Sequence, residues 1–403
     1  MTSAIFQLTS GAGGAIQDGP AESALAEVRV PLCGHTPVAK KKALVAAGTL
    51  LATHPDAGVG DAHSPIVGTV TDIAEDCVVI AAGIPAPKKE GEEPPVPPSV
   101  AKVDLSSADG AALAAGLKGL GVSTAALAGA STIVINGLNP EPGMSVAEQL
   151  LKEAKPALEK GLAVLAKLAP GARVVLVTAE GSSESLAGVT AFHVKPVYPN
   201  SLALLVAAAV AGNERAEGVA VIGVAELRDM GAAYGSGLPV IDTVLSVGAA
   251  DYKVLVGTPV SAVLAQAGLA PADGDTVAVG GVLRGEAIAD LSRGVAKGDL
   301  ALAVIPAGAF PPITDGACVN CGECVLHCPS RIMPNLLGRY AEFKMWDMCA
   351  KFDIGSCIDC GLCGYYCPSR RPMLQYLRMA RLALAAADAP APAPEEETIS
   401  EEA

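Results

Sequence analysis

Aromatic residues are scarce in this chain of 403 residues: one Trp, seven Tyr and five Phe. Half of the residues are nevertheless apolar, so small Ala and Val side chains must fill the core. Positive charge is short as well, with 28 Lys and Arg against 42 Asp and Glu and a formal net charge of −14. Nucleic acid demands concentrated positive charge and is excluded as a partner; an acidic field suits a basic protein surface instead. Long apolar runs are missing too. The richest, "SLALLVAAAVAG" at residues 201–212, is about half of the roughly 20 residues a spanning helix needs. The opening "MTSAIFQLTSGAGG" has neither the basic start nor the long apolar stretch of a secretory signal. A cytoplasmic protein of two or three domains is expected.

Cysteine is almost absent from most of the chain. Two, Cys33 and Cys77, precede residue 318, and nine of the eleven lie between Cys318 and Cys367. A disulfide framework would spread them out; clustered cysteines in a reducing compartment are metal ligands. They form two copies of one ladder, "CVNCGECVLHCPSR" at residues 318–331 and "CIDCGLCGYYCPSR" at residues 357–370. Each reads C-x2-C-x2-C-x3-C-P. Three cysteines so spaced on a tight loop reach three irons of a cubane, and the fourth, before proline, ligates the other cluster. The spacing predicts one [4Fe–4S] cluster on Cys318, Cys321, Cys324 and Cys367, and a second on Cys357, Cys360, Cys363 and Cys328. Zinc prefers separated C-x2-C halves and fits less well. Two clusters that exchange ligands are close enough for electron tunnelling.

The remaining residues divide the chain. Residues 1–24 read as a loose arm and 25–83 as a β module punctuated by Gly and Asp. Residues 84–100 are a linker rich in Pro and charge. Residues 101–236 alternate strand and helix, which implies a parallel α/β sheet; Pro156 should break the helix there. Residues 237–310 return to short strands around one helix, a β-grasp-like unit. Residues 311–385 hold the cysteines, and 386–403, rich in Pro, Ala and Glu, form a disordered tail. The fold class is multidomain α/β.

Lesser candidates carry bland readings. His35 and His63 sit at hairpin edges, where turns and surface hydrogen bonds suffice. Cys33 and Cys77 pack, Cys349 is a buried helical thiol, and Gly119 and Gly121 form a turn. Lys40, Lys41 and Lys42 make a solvated basic island; anionic lipid or an acidic partner is the alternative. No nucleophile–base pair and no catalytic residue emerges.

Taken whole, the chain resembles the RnfC family, a component of the Rnf complex, which is a membrane-attached ferredoxin:NAD oxidoreductase. The likeness rests on "PLCGHTPVAKKKALVAAGTLLATHPDAGVGDAHSPIVGTV", "STIVINGLNPEPG", "GLPVIDTVLSVG", "YKVLVGTPVSAVLAQAG", "VAVGGVLRGEAI" and the two ladders. It implies an N-terminal lipoyl-like barrel-sandwich module and an α/β domain related to the flavoprotein subunit of complex I. A soluble-ligand-binding β-grasp domain and a helical double-cluster module would follow. It also implies the cytoplasmic face of a membrane, other members of the complex as neighbours, and ferredoxin, a cytochrome or another redox protein as partner. The family's flavin loop reads "GLGGAGFPT", but residues 116–127 here read "GLKGLGVSTAAL". The acids of "ECEPY" are reduced to Glu141, and "GGEK" after "VYPN" becomes "SLAL". These changes argue against an FMN/NADH site and for an electron-transfer subunit. The alternative is a complete FMN-containing, NADH-linked oxidoreductase; an adaptor with structural clusters is a third reading.

Overall fold

The computed structural model describes residues 7–8, 14–85, 94–314 and 316–388. Part of the expected linker (86–93) and most of the expected tail (389–403) lie outside the described residues. The chain divides into two compact units, Met1–Ala309 and Phe310–Ala403. The whole is a mixed α/β protein with several sheets.

In the first unit, β1 (Gln17–Asp18) lies within the expected arm and pairs with a strand more than 230 positions on, so this part of the arm is held. Seven short strands follow: β2 (Glu27–Pro31), β3 (Thr36–Pro37), β4 (Leu44–Val45), β5 (Leu50–Thr53), β6 (Ala62–His63), β7 (Gly68–Ile73) and β8 (Cys77–Ala82). They form an antiparallel sheet of order β2-β8-β7-β4 and a smaller one of order β3-β5-β6. Alternation puts Val28, Val30, Val78 and Ile80 inside, with Leu51 and Ile66.

His63 corrects the sequence reading. It is buried, and Nδ1 lies 3.1 Å from the Asp61 carbonyl. Burial, aided by the Lys297 charge, holds its imidazole down at about 4. Lys297 is half-buried, desolvation lowers its ammonium to about 8, and its Nζ donates to Gly121 O at 2.6 Å.

The strand–helix alternation builds a parallel sheet. It contains α1 (Gly110–Gly119), β9 (Thr132–Asn136), α2 (Val146–Glu153), α3 (Lys155–Leu168), β10 (Arg173–Ala179), β11 (Thr190–Val194), α4 (Ala203–Ala211), β12 (Val219–Gly223) and α5 (Val224–Ser236). Strand order is β11-β10-β9-β12. Pro156 starts α3 after α2 ends, as its missing N–H requires. Both faces are covered, as parallel sheets demand. Ile133, Ile135 and Leu176 face one core with Leu158 and Leu227, while Val134, Val175 and Val177 face Val206 on the other side.

Helices α3 and α5 meet backbone to backbone. A Cβ on Gly161 would strike Leu227 O, and one on Gly231 would strike Ala157 O. A helical glycine normally weakens a helix by roughly 0.5–1 kcal/mol relative to Ala. Here the close approach reverses that preference.

The last sheet of this unit contains β13 (Asp242–Val247), β14 (Ala250–Leu255), β15 (Thr276–Val279), β16 (Glu286–Ile288) and β17 (Ala301–Ile305), with α6 (Val260–Gln266) packed in its core. Its order is β1-β14-β13-β17-β15-β16, with β13 and β17 parallel. Glu141, leaving β9, is buried and accepts N–H groups of Leu283 (2.9 Å) and Arg284 (3.0 Å). Burial raises its carboxyl despite those bonds.

The second unit is helical: α7 (Glu323–Leu326), α8 (Pro334–Glu342), α9 (Trp346–Lys351), α10 (Leu362–Tyr365) and α11 (Met373–Asp388). Helix α11 runs three residues past the expected start of the tail. Leu337, Ala341, Ile354, Met373 and Leu377 form the core with Cys349, whose fully buried thiol donates to Leu337 O. Trp346 packs against this core.

Two outcomes are expected. Gly231→Ala should destabilise the first unit by about 1–3 kcal/mol through overpacking, read as a lower urea midpoint; a rise would refute the close-packing account. His63 binds its proton more weakly folded than unfolded. Its contribution is therefore neutral above about pH 6.5 and increasingly destabilising as pH falls toward 4, to roughly 3 kcal/mol. Between pH 7 and 4.5, His63→Gln should lose less stability than the parent chain; equal losses would dismiss His63 as the source.

Candidate metal centres

The two ladders fold alike because the same positions adopt left-handed backbone. Asn320 and Asp359 have φ of 55° and 57°, and the glycines after the second cysteines, Gly322 and Gly361, have 82° and 75°. Asn, Asp and Gly tolerate this region best. The second cysteine is thus flanked by two left-handed residues, which curl the chain so that all three cysteines face inward. The third cysteine sits on a single helical turn, Cys324 in α7 and Cys363 in α10. Before each fourth cysteine stands a ring, and the two rings, His327 and Tyr366, stack at 3.5 Å and 7°. That stack ties the ladders together beside Cys328 and Cys367.

Two voids of similar size result. One is lined by Cys318, Cys321, Cys324 and Cys367, with Asn335, Arg371 and Met373. The other is lined by Cys357, Cys360, Cys363 and Cys328, with Ile332, Leu374 and Leu377. Each ring therefore takes three thiols from one ladder and one from the other. Among the described residues, no three His, Cys, Asp or Glu side chains converge to hold a single metal ion. The thiols surround a space, whereas zinc needs its ligands about 2.3 Å from one point.

Backbone N–H groups point at the sulfurs. Asn320 donates to Cys318 Sγ at 3.4 Å. Asn335 donates to Cys324, Asp359 to Cys357 and Leu362 to Cys360. Burial pushes the thiols of Cys324 and Cys357 up, Cys360 up to about 11, and Cys363 higher still. In the metal-free chain these groups carry protons, and a metal centre would displace them. An all-thiol donor set, N–H bonds to sulfur and a void inside each ring fit a [4Fe–4S] group in each. The sequence reading passed over Asn335 and Arg371, which come from elements outside the ladder they line.

The segment aligned with the flavin loop is engaged elsewhere. The N–H groups of Leu120, Gly121 and Val122 donate back to carbonyls of α1, and those of Thr124 and Ala125 donate to Gly58 O at 2.7 and 2.9 Å. Ser123 Oγ accepts from Gly60 N at 3.1 Å. A Cβ on Gly60 or Gly121 would collide with the facing backbone, so these glycines serve the contact between residues 58–61 and 121–125. Ser201 Oγ donates to Pro140 O (2.9 Å), and Asn136 donates to Ser201 O (2.8 Å). A separate open cleft of about 870 Å³ lies at the carboxyl ends of β9 and β10, lined by Leu138, Asn139, Thr178, Glu180, Ser182 and Leu8 among others.

Of the other candidates, Cys33 is exposed and Cys77 half-buried on β8. His35 contacts the carbonyls of Leu32 and Gly60. Lys41 pairs with Asp72 at 2.5 Å on the surface.

No protein-family profile matches the chain. It is similar to the C component of the ion-translocating oxidoreductase complex (RnfC) of Rhodobacter capsulatus, with 26% identity over 356 residues, 76% of this chain and 68% of that protein. The protein of the same name from Pseudomonas aeruginosa is 30% identical over 328 residues, covering 71% and 42%. That from Edwardsiella ictaluri is 27% identical over 365 residues, covering 80% and 46%. The chain spans less than half of these last two. Among solved structures, an NAD+-reducing [NiFe]-hydrogenase aligns in the H2-reduced state with TM-score 0.40 and 12% identity, covering 68% of this chain and 62% of that one. In the air-oxidised state the values are 0.36, 16%, 63% and 54%.

Cys328→Ala opens the ring that contains Cys357, and Cys367→Ala the ring that contains Cys318. Low-temperature EPR of the reduced Cys328→Ala chain should lose the signal of the downstream centre and keep the other. Loss confined to the Cys318 ring would reverse the assignment.

Proposed function

We propose a function from one premise: the chain is an RnfC-like protein. Its C-terminal unit holds two [4Fe–4S] clusters on the crossed sets Cys318, Cys321, Cys324, Cys367 and Cys357, Cys360, Cys363, Cys328. Such clusters supply one-electron transfer. The chain is the iron–sulfur electron-transfer subunit of an ion-translocating oxidoreductase complex, relaying single electrons between a redox protein and its membrane neighbours. The observation that carries this is the pair of thiol-ringed voids, each closed by a cysteine from the other ladder. Shared ligands hold two redox groups within tunnelling reach, which a structural metal would not need.

The chain's residues divide this work. Asn320, Gly322, Asp359 and Gly361 shape the rings, and the backbone donors stabilise charge on sulfur. Among the described residues no helix is long and apolar enough to cross a membrane, which suits a peripheral place on the cytoplasmic face. The finer architecture is a barrel-sandwich module, an α/β domain of the complex I flavoprotein type, a β-grasp domain at β13–β17 and a helical double-cluster module.

The α/β domain has lost its flavin role in this reading. Its N–H groups at 120–122, 124 and 125 are bonded within the protein, and replacing charge-assisted bonds to a phosphate costs roughly 1.5–3 kcal/mol each. One observation favours the alternative, a complete FMN-containing, NADH-linked oxidoreductase. The cleft at the ends of β9 and β10 lies where open parallel sheets bind ligands.

Metal and flavin analysis separates the two. The purified chain should contain about eight iron and eight acid-labile sulfide, as two cubanes require, no stoichiometric FMN, and no NADH:viologen activity. FMN near one per chain, bleached by NADH, would replace the relay reading with the alternative. Iron far below four per chain would sink both.

A further inference from the structure

The two thiol rings repeat each other in sequence but differ in what surrounds them. The Cys318 ring is the wetter one: Cys321 is exposed, Cys318 and Cys367 are half-buried and only Cys324 is buried, with Val319 beside them exposed. In the Cys357 ring, Cys360 and Cys363 are buried and Cys357 and Cys328 half-buried, so none is exposed. Around the second void the remaining lining is Ile332, Ile358, Leu374 and Leu377, with Pro329, Pro334, Gly361 and Ser330. The first void has a guanidinium in its wall. Arg371 is 5% exposed, donates to Gly316 O and to Glu342 Oε2 (2.5 Å), and lies within electrostatic reach of Cys318. Glu342 is 30% exposed and does not line the void. Of this pair, Arg371 lines the void and Glu342 does not. At the equivalent point after the first ladder the chain has Ile332.

The second ring has charges nearby, but not in its wall. Asp359 lies between Cys357 and Cys360 and is paired with Arg378 (2.7 Å) and Arg381 (3.6 Å). The Arg378 and Arg381 side chains are 27% and 45% exposed, and both are taken up by the Asp359 carboxylate; Arg381, which also donates to Cys357 O at 3.5 Å, is further screened by solvent. N–H donors favour the second ring slightly, with Asp359, Leu362 and Cys360 there against Asn320 and Asn335 in the first, so the difference must come from the cation and from exposure.

We propose that the two centres have unequal reduction potentials, the Cys318 ring the more positive, and that Arg371 sets the difference. The inference rests on the reading that both voids hold [4Fe–4S] groups. Reduction adds one electron, and with it one negative charge, to a site already ringed by thiolates. A buried cation and water stabilise that charge; an apolar wall does not. The electron shared by the pair therefore resides mainly at the exposed Cys318 ring, where Cys321 and Val319 face outward. The less exposed Cys357 ring is the high-energy step behind it. Arg371 is a tuning residue, since its guanidinium lines the void without ligating.

The test is an EPR-monitored redox titration of the full chain purified with its iron. The parent chain should show two resolved one-electron steps. Cys328→Ala, which leaves the Cys318 ring complete, should keep only the more positive one. Arg371→Met should move that step negative and leave the other in place. A tenfold change in how the electron partitions corresponds to about 59 mV for one electron. Arg371→Lys should restore most of the shift. The double variant Arg371→Met with Glu342→Gln removes the pair without leaving a lone carboxylate, and should shift likewise if the single variant folds poorly. One unresolved potential in the parent chain, or a shift of the wrong step or of neither, would overturn the inference while leaving the clusters themselves intact. A chain without iron and sulfide would overturn the underlying reading, and this inference with it.

Discussion

Cys328 and Cys367 each lie four residues beyond the third cysteine of their own ladder, past a helical turn and just before a proline. That turn carries them out of their own ring and to the wall of the other void. Neither ring has four thiols without the other, so the two repeats must fold as one body. The His327–Tyr366 stack sits where the crossing occurs, and α8 and α11, which follow the two prolines, pack on each other through Leu337 and Leu377. The helical core of this unit is thus organised around the exchange of one cysteine in each direction.

In the first unit the corresponding constraint is backbone proximity. Gly60 and Gly121 allow the N-terminal module to lie against the loop after α1, and Lys297 closes the contact from the sheet that contains β13. Three parts of the chain therefore meet at a loop whose N–H groups already have partners. Asp229 completes the junction as a half-buried carboxyl, raised by desolvation and opposed by Arg228 and Lys297. A loop so engaged has few N–H donors left over.

Legibility followed the range of the interaction that decides each feature. Strands β9, β10 and β12 could be read because both faces are buried and their apolar runs are continuous. Strand β11 was missed; "TAFHV" is half polar and lies at the sheet edge with most side chains exposed. Pro156 marked its own helix break because the missing N–H acts locally. The close packing at Gly161 and Gly231 could not be read, since a helical glycine looks the same whether it faces solvent or a second backbone. His63 misled for a similar reason. A hairpin edge is exposed in an isolated module, but residues after α1 and Lys297 cover it here. The thiol groups around the voids are readable because spacing is a local property. Arg371 was not, since it follows the second ladder and lines the void of the first.

Charge placement connects these observations. Residues 310–388 carry eight Lys and Arg against seven Asp and Glu, a net of +1, in a chain whose total is −14. The excess acid thus belongs to the other segments. A thiolate-rimmed redox centre becomes more negative each time it is reduced, and nearby carboxylates would oppose every electron. The acids that this unit keeps near its rings are therefore matched: Glu342 by Arg371, and Asp359 by Arg378 and Arg381. Two of these arginines sit on α11, the helix that continues the second ladder, so the element that buries the rings also neutralises them. An acidic exterior can then serve solubility and attract a basic partner without placing its field on the path of the electron.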